Sequence, residues 1–98
     1  MTHAVAKVNG VVVAETDAFE VVEGNVYFPP SSLKQTYYTS TSTTTRCPWK
    51  GSANYYTISV DGKTLKDAAW HYDNPSEAAS NIKGYVAFYP NKVQVSTS

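Results

Sequence analysis

Residues 53–65, Ala-Asn-Tyr-Tyr-Thr-Ile-Ser-Val-Asp-Gly-Lys-Thr-Leu, decide the fold class. From Ala53 to Val60 the pattern has a period of two. Tyr56, Ile58 and Val60 fall on one side of a pleated strand, and Tyr55, Thr57 and Ser59 on the other. Asp61-Gly62 tolerates the positive φ angles of a two-residue turn, so Lys63-Thr64-Leu65 starts a returning strand. Upstream, Thr36 to Thr45 is almost wholly Thr, Ser and Tyr. Thr and Tyr suit pleated surfaces, so this stretch reads either as an exposed strand pair or as a loop.

The same signals recur outward in both directions. Val5 to Glu15 is a hairpin around Asn9-Gly10, with Val8 expected opposite Val11 and Ala6 opposite Val13. A second hairpin is expected over Phe19 to Phe28, turning at Glu23-Gly24-Asn25 with Phe19 and Val21 inward. Pro29-Pro30 ends the pairing because neither residue donates a ladder hydrogen bond, and one helical turn can follow at 31–34. Asp67 to Tyr72 reads as a strand stopped by Asp73-Asn74-Pro75. Ser76 is placed to cap a short helix through Ile82, and Gly84 to close it. Tyr85 to Tyr89 and Lys92 to Val95 are expected to form a last hairpin over Pro90-Asn91, with 96–98 fraying. The expectation is one all-β, mainly antiparallel domain over 1–98: a small two-sheet sandwich or tent-like fold with one or two helical turns.

Bulk composition narrows the function. With 98 residues the chain can bury one modest core, and 42% hydrophobic against 16% charged residues places it among globular rather than disordered chains. Eight Lys and Arg balance eight Asp and Glu, so no net field draws the protein to nucleic acid or an anionic membrane. A single cysteine leaves no disulfide framework and no Cys-pair zinc site. The first residues lack a basic stretch followed by an apolar run, and a reducing cytoplasm is the expected compartment.

The segment with unusual chemistry is Thr45-Arg46-Cys47-Pro48-Trp49-Lys50-Gly51. The thiol has a cation directly before it and another three residues on, surroundings that favour the thiolate a nucleophile needs. Pro48 disfavours helical geometry at Cys47, and Gly51 permits a reversal that brings Lys50 back toward the sulfur. An isolated cysteine is also commonly a small buried hydrophobe. His71, between Trp70 and Tyr72, is a candidate base for the thiol, although a lone strand histidine is more often a hydrogen-bonded surface residue. Eight tyrosines against three phenylalanines mean that several buried rings must find hydroxyl partners, which a tyrosine-lined cavity or a solvated sheet face supplies. Asp67 and Asp73, flanking Trp70, read more simply as capping or solvated residues than as site acids. There is no Gly-rich phosphate loop and no Asp-x-Asp pair after a Gly-Ser turn.

Val-Ala-Glu-Thr at 13–16, Tyr-Phe-Pro at 27–29, Cys-Pro-Trp-Lys-Gly at 47–51, Ala-Ala-Trp at 68–70 and Gly-Tyr-Val-Ala-Phe-Tyr at 84–89 occur in a characteristic order. In these blocks the chain resembles domain-of-unknown-function family 427, which also carries the label of a nucleotidyltransferase-like domain. The resemblance implies a compact β-rich fold of unassigned activity. It points to Thr45, Cys47, Pro48, Lys50, Gly51, Ala53, Tyr55, Trp70 and Tyr85, and leaves His71 out.

The functional expectation is a pocket between sheets for an unidentified small molecule, with no cofactor and no metal. Cys47 and Lys50 would be its reactive groups, and Thr45, Trp49, Tyr55, Trp70, Tyr72 and Tyr85 its lining. The alternative is a protein-interaction or homodimerisation module, in which these residues are structural and the 36–45 edge strand meets a partner or a second copy.

Overall fold

A computed structural model describes residues 3–98 as nine strands and three short 3₁₀ turns. The strands are β1 (Ala4–Val8), β2 (Val11–Thr16), β3 (Glu20–Val22), β4 (Asn25–Tyr27), β5 (Tyr38–Cys47), β6 (Gly51–Val60), β7 (Lys63–His71), β8 (Val86–Phe88) and β9 (Gln94–Thr97). They form three antiparallel sheets, ordered β2-β1-β9, β3-β4 and β5-β6-β7-β8. The 3₁₀ turns cover Pro30–Ser32, Gln35–Tyr37 and Glu77–Ile82. The all-β reading holds, and the Thr-rich stretch is the long edge strand β5.

Three hairpins turn on two residues at positive φ: Asn9-Gly10, Glu23-Gly24 and Asp61-Gly62. Val8 lies opposite Val11 as expected, but an irregularity between Ala6 and Lys7 moves Ala6 opposite Ala14 instead of Val13. Both Val13 and Ala14 are consequently buried. In the second hairpin the turn is shorter than expected, with Val22 opposite Asn25. Val22 packs inward, so by alternation Val21 points out and is 59% exposed, against expectation.

Two further expectations are corrected by long-range pairing. β8 and β9 are not a hairpin: β8 joins the four-stranded sheet beside β7, and β9 returns to β1. Ser96 and Thr97 pair with Val5 and Ala4, while Ser98 and His3 exchange two backbone hydrogen bonds of 2.9 and 3.1 Å. Ser76 precedes the 77–82 turn without capping it; its hydroxyl donates to the Trp49 carbonyl.

The four-stranded sheet is covered on both faces, and residue parity assigns each side chain. Tyr56, Ile58, Val60, Ala69, Val86 and Phe88 face the main core, where they meet Ala4, Ala6, Val8, Val13 and Ala14 of β1 and β2. Ala53, Tyr55, Trp70 and Ala87, their neighbours in sequence, face a second cluster. That cluster is closed by Tyr27 and Val22 from β3–β4 and by Ala79 and Ile82 from the 77–82 turn.

Candidate functional site

Cys47 is the last residue of β5 and pairs with Gly51 across the turn Pro48-Trp49-Lys50. Gly51 has φ +111°, and a Cβ there would stand 3.4 Å from the Asn74 carbonyl oxygen. A side chain at 51 would therefore strain the turn and press on the 74–76 segment. That segment is fastened to the turn by the Ser76 N–H, which donates to the Lys50 carbonyl at 2.9 Å.

The Cys47 side chain is half-buried and packs into the second cluster with Tyr55, Tyr72, Trp70 and Tyr85. Five of the eight residues singled out in the sequence therefore meet on one sheet face, brought from β5, β6, β7 and the strand ends around them. Thr45 joins them through a 2.9 Å hydrogen bond between its hydroxyl and that of Tyr55. The Tyr55 hydroxyl is also 3.3 Å from that of Tyr89, and the Trp70 indole N–H donates to the Tyr27 hydroxyl at 3.1 Å. Its hydrogen bond with Tyr55 and then its burial push the Tyr89 phenol up to about 12. Among the described residues no fully buried side-chain nitrogen or oxygen is left without a partner.

Lys50 sits at the rim. Its side chain is nearly buried, and its ammonium pairs with the Glu23 carboxylate from the β3–β4 turn. It also lies 5.4 Å from the centroid of the Tyr72 ring and 5.3 Å from that of Trp49. Burial acts to lower the Lys50 pKa, but the hydrogen bond that Lys50 donates to Glu23 and the electrostatic pull of Tyr27, Tyr72 and Glu23 override it and leave it raised. Lys50 is accordingly a fixed cation, not a free amine. Glu23 is held below the usual carboxylate range by the same bond and by the Trp49 indole N–H. Trp49 is 41% exposed at the tip of the turn.

Two sequence expectations about the thiol change. Because β5 is extended up to Cys47, Arg46 projects to the opposite face, leaving Lys50 as the cation on the thiol's side of the sheet. His71 also lies on the opposite face. It pairs with Asn54 in the ladder, stacks on Tyr56 with centroids 4.4 Å apart, and donates from Nδ1 to Asp73 at 2.7 Å. A Cys47–His71 pair is therefore not formed.

A groove of about 440 Å³ opens on that opposite face. Of the eight expected reactive and lining residues Trp49 alone lines it, beside Pro48 and Gly51 of the same turn; its other walls include Arg46, Ser52, Asn54 and Asp73. Alternation along an extended strand sends Arg46 to the face away from Cys47, a signal that counting Arg46 as a cation beside the thiol passes over.

These features define a small all-β domain with one sheet faced on both sides and an aromatic, cysteine-bearing layer on one of them. The chain belongs to the family described as domain of unknown function DUF427, whose model matches residues 1–98. No curated protein matches it. Among the described residues no group of three or more His, Cys, Asp or Glu side chains is arranged to hold a metal ion.

Proposed function

We propose that this domain binds a small molecule on the aromatic layer, against Cys47, Tyr55, Trp70, Tyr72 and Tyr85, with Lys50 as a fixed positive charge at its rim. The observation that carries this reading is the hydroxyl chain Thr45–Tyr55–Tyr89, which lies beside the indole–phenol pair Trp70–Tyr27. A purely structural layer is built more cheaply from Phe and Leu. Rings with paired hydroxyls next to a half-buried thiol supply both stacking area and directional groups. Cys47 then stands where a bound electrophile would meet its sulfur.

The test is a thermal-shift screen of small metabolites, followed by iodoacetamide alkylation of Cys47 with and without each hit. A ligand that raises the melting temperature, slows alkylation, and loses its effect in Tyr55→Phe or Trp70→Phe supports the proposal. Hits that leave Cys47 unprotected and ignore both substitutions refute it. The interaction reading is favoured by one observation: β5 is an edge strand with no charged side chain from Tyr38 to Thr45. Sedimentation at two concentrations separates it, since a monomer at both leaves no self-association to explain.

A further inference from the structure

On the other face of the sheet, counting along the strands brings a cation, a hydroxyl and an anion into one row. Arg46 pairs with Ser52 in the β5–β6 ladder. Continuing the β6–β7 register two residues past Asn54–His71 sets Ser52 beside Asp73. All three line the 440 Å³ groove, together with Asn54, Asn74 and Ser76. Arg46 and Asp73 are thus two interstrand spacings apart, about 10 Å. Among the described residues neither Asp73 nor any other carboxylate pairs with Arg46.

The two charges differ in how they are held. Asp73 is fixed by the buried His71 imidazole at 2.7 Å and by the Asn54 amide, which donates at 3.3 Å. Arg46 is exposed and free to swing toward whatever the groove holds. The groove wall is tied by Ser76, whose N–H donates to the Lys50 carbonyl and whose hydroxyl donates to that of Trp49. A ligand carboxylate accepting from the Arg46 guanidinium and a ligand ammonium donating to Asp73 would each make a charge-assisted hydrogen bond of about 2.8 Å. A polyanion would meet Asp73 unfavourably, and a simple amine would leave Arg46 without a partner.

We propose that this groove is a second binding site, selective for a small zwitterion of the amino-acid type. Asp73 receives the ammonium, Arg46 the carboxylate, and the Ser52 hydroxyl and Asn74 amide contact the part between and beyond them. The site is separate from the aromatic layer, so either can fail without the other.

The experiment is an amide NMR titration of the whole chain with L-glutamine and two relatives that each lack one charge, glutaramate and 4-aminobutanamide. Expected are saturable shifts at residues 46, 52, 73, 74 and 76, with affinity falling roughly tenfold or more for each relative. Arg46→Gln and Asp73→Asn, checked for a native spectrum, should each give the same loss. The proposal is overturned if glutamine gives no saturable shift, or if the shifts centre on Cys47, Tyr55 and Trp70. It is equally overturned if a one-charge relative binds as well as glutamine. A neutral sugar such as methyl glucoside moving the same amides while glutamine does not would make the groove a polyol site instead. Should Asp73→Asn fail to fold, the comparison of the three ligands decides alone.

Discussion

The Lys50 ammonium and the Glu23 carboxylate join the tip of the β5–β6 turn to the tip of the β3–β4 turn. Their surroundings are unequal: the Lys50 side chain is 6% exposed and that of Glu23 52%. Removing the carboxylate strands a buried cation, whereas removing the cation leaves a carboxylate that water can solvate. Glu23→Gln should therefore lower the urea midpoint more than Lys50→Met. Because Glu23 is depressed below its ordinary 4.5, its contribution is present above that value and lost as pH falls through the lower folded value. Equal midpoints for the two variants would show that the pair is not a buried tie.

Gly10 occupies φ +77° with nothing within 4 Å of an added Cβ, so a substitution there is opposed by backbone conformation and not by crowding. Gly10→Val should cost on the order of 1 kcal/mol or more in urea unfolding. A midpoint equal to that of the parent chain would contradict the turn assignment.

Asp67 sits at φ +51° in the irregular part of β7, and its carboxylate accepts from Thr41 at 2.9 Å and Thr43 at 2.8 Å. These two bonds, Thr43 first, hold its pKa down. Asp67→Asn keeps both a residue tolerant of that φ and one acceptor, whereas Asp67→Val keeps neither. Valine should therefore lower the melting temperature distinctly more than asparagine. For the parent chain, the contribution is present above the ordinary value of 3.8 and disappears as pH falls through the folded one.

His3 bridges Asp17 and Glu15, with its Nε2 2.8 Å from the latter, and the hydrogen bond to Asp17 followed by that to Glu15 raises its pKa above 6.5. A raised folded value means that the clasp stabilises fully below 6.5 and is lost as pH rises through the folded value. The melting temperatures of the parent and His3→Ala should therefore differ in mild acid and converge in alkali. A difference that persists in alkali would assign the effect to packing.

What could be read from the sequence was whatever is encoded within a few residues. Asn9-Gly10 and Asp61-Gly62 announce their turns because the φ angles belong to the dipeptides themselves. The parity of Tyr55 against Tyr56 announces two faces. The β8–β9 assignment failed because Pro90-Asn91 looks the same whether the chain reverses beside itself or leaves for another sheet; β1, which claims β9, is remote in sequence. Val21 was misplaced because a three-residue strand offers too little alternation to fix its phase. At the site, Cys47, Tyr55, Trp70, Tyr72 and Tyr85 were chosen from composition and resemblance, and the structure puts them in one cluster. Glu23 was missed because nothing near it in the chain marks it as the partner of Lys50. Asp73 was set aside because the row it completes exists only across strands.

The pairing of β1 with both β2 and β9 also fixes an order of events in folding. β1 meets β2 through a two-residue loop, a contact that forms on the microsecond scale of hairpins. Its other edge must wait until residues 94–97 find residues 4–7, a closure spanning almost the whole described chain. In that interval Ala4 to Lys7 present open backbone donors and acceptors, and of the side chains along them only Lys7 is charged. A strand from another molecule can therefore compete with β9 for this edge of β1, and refolding yield should fall with rising protein concentration.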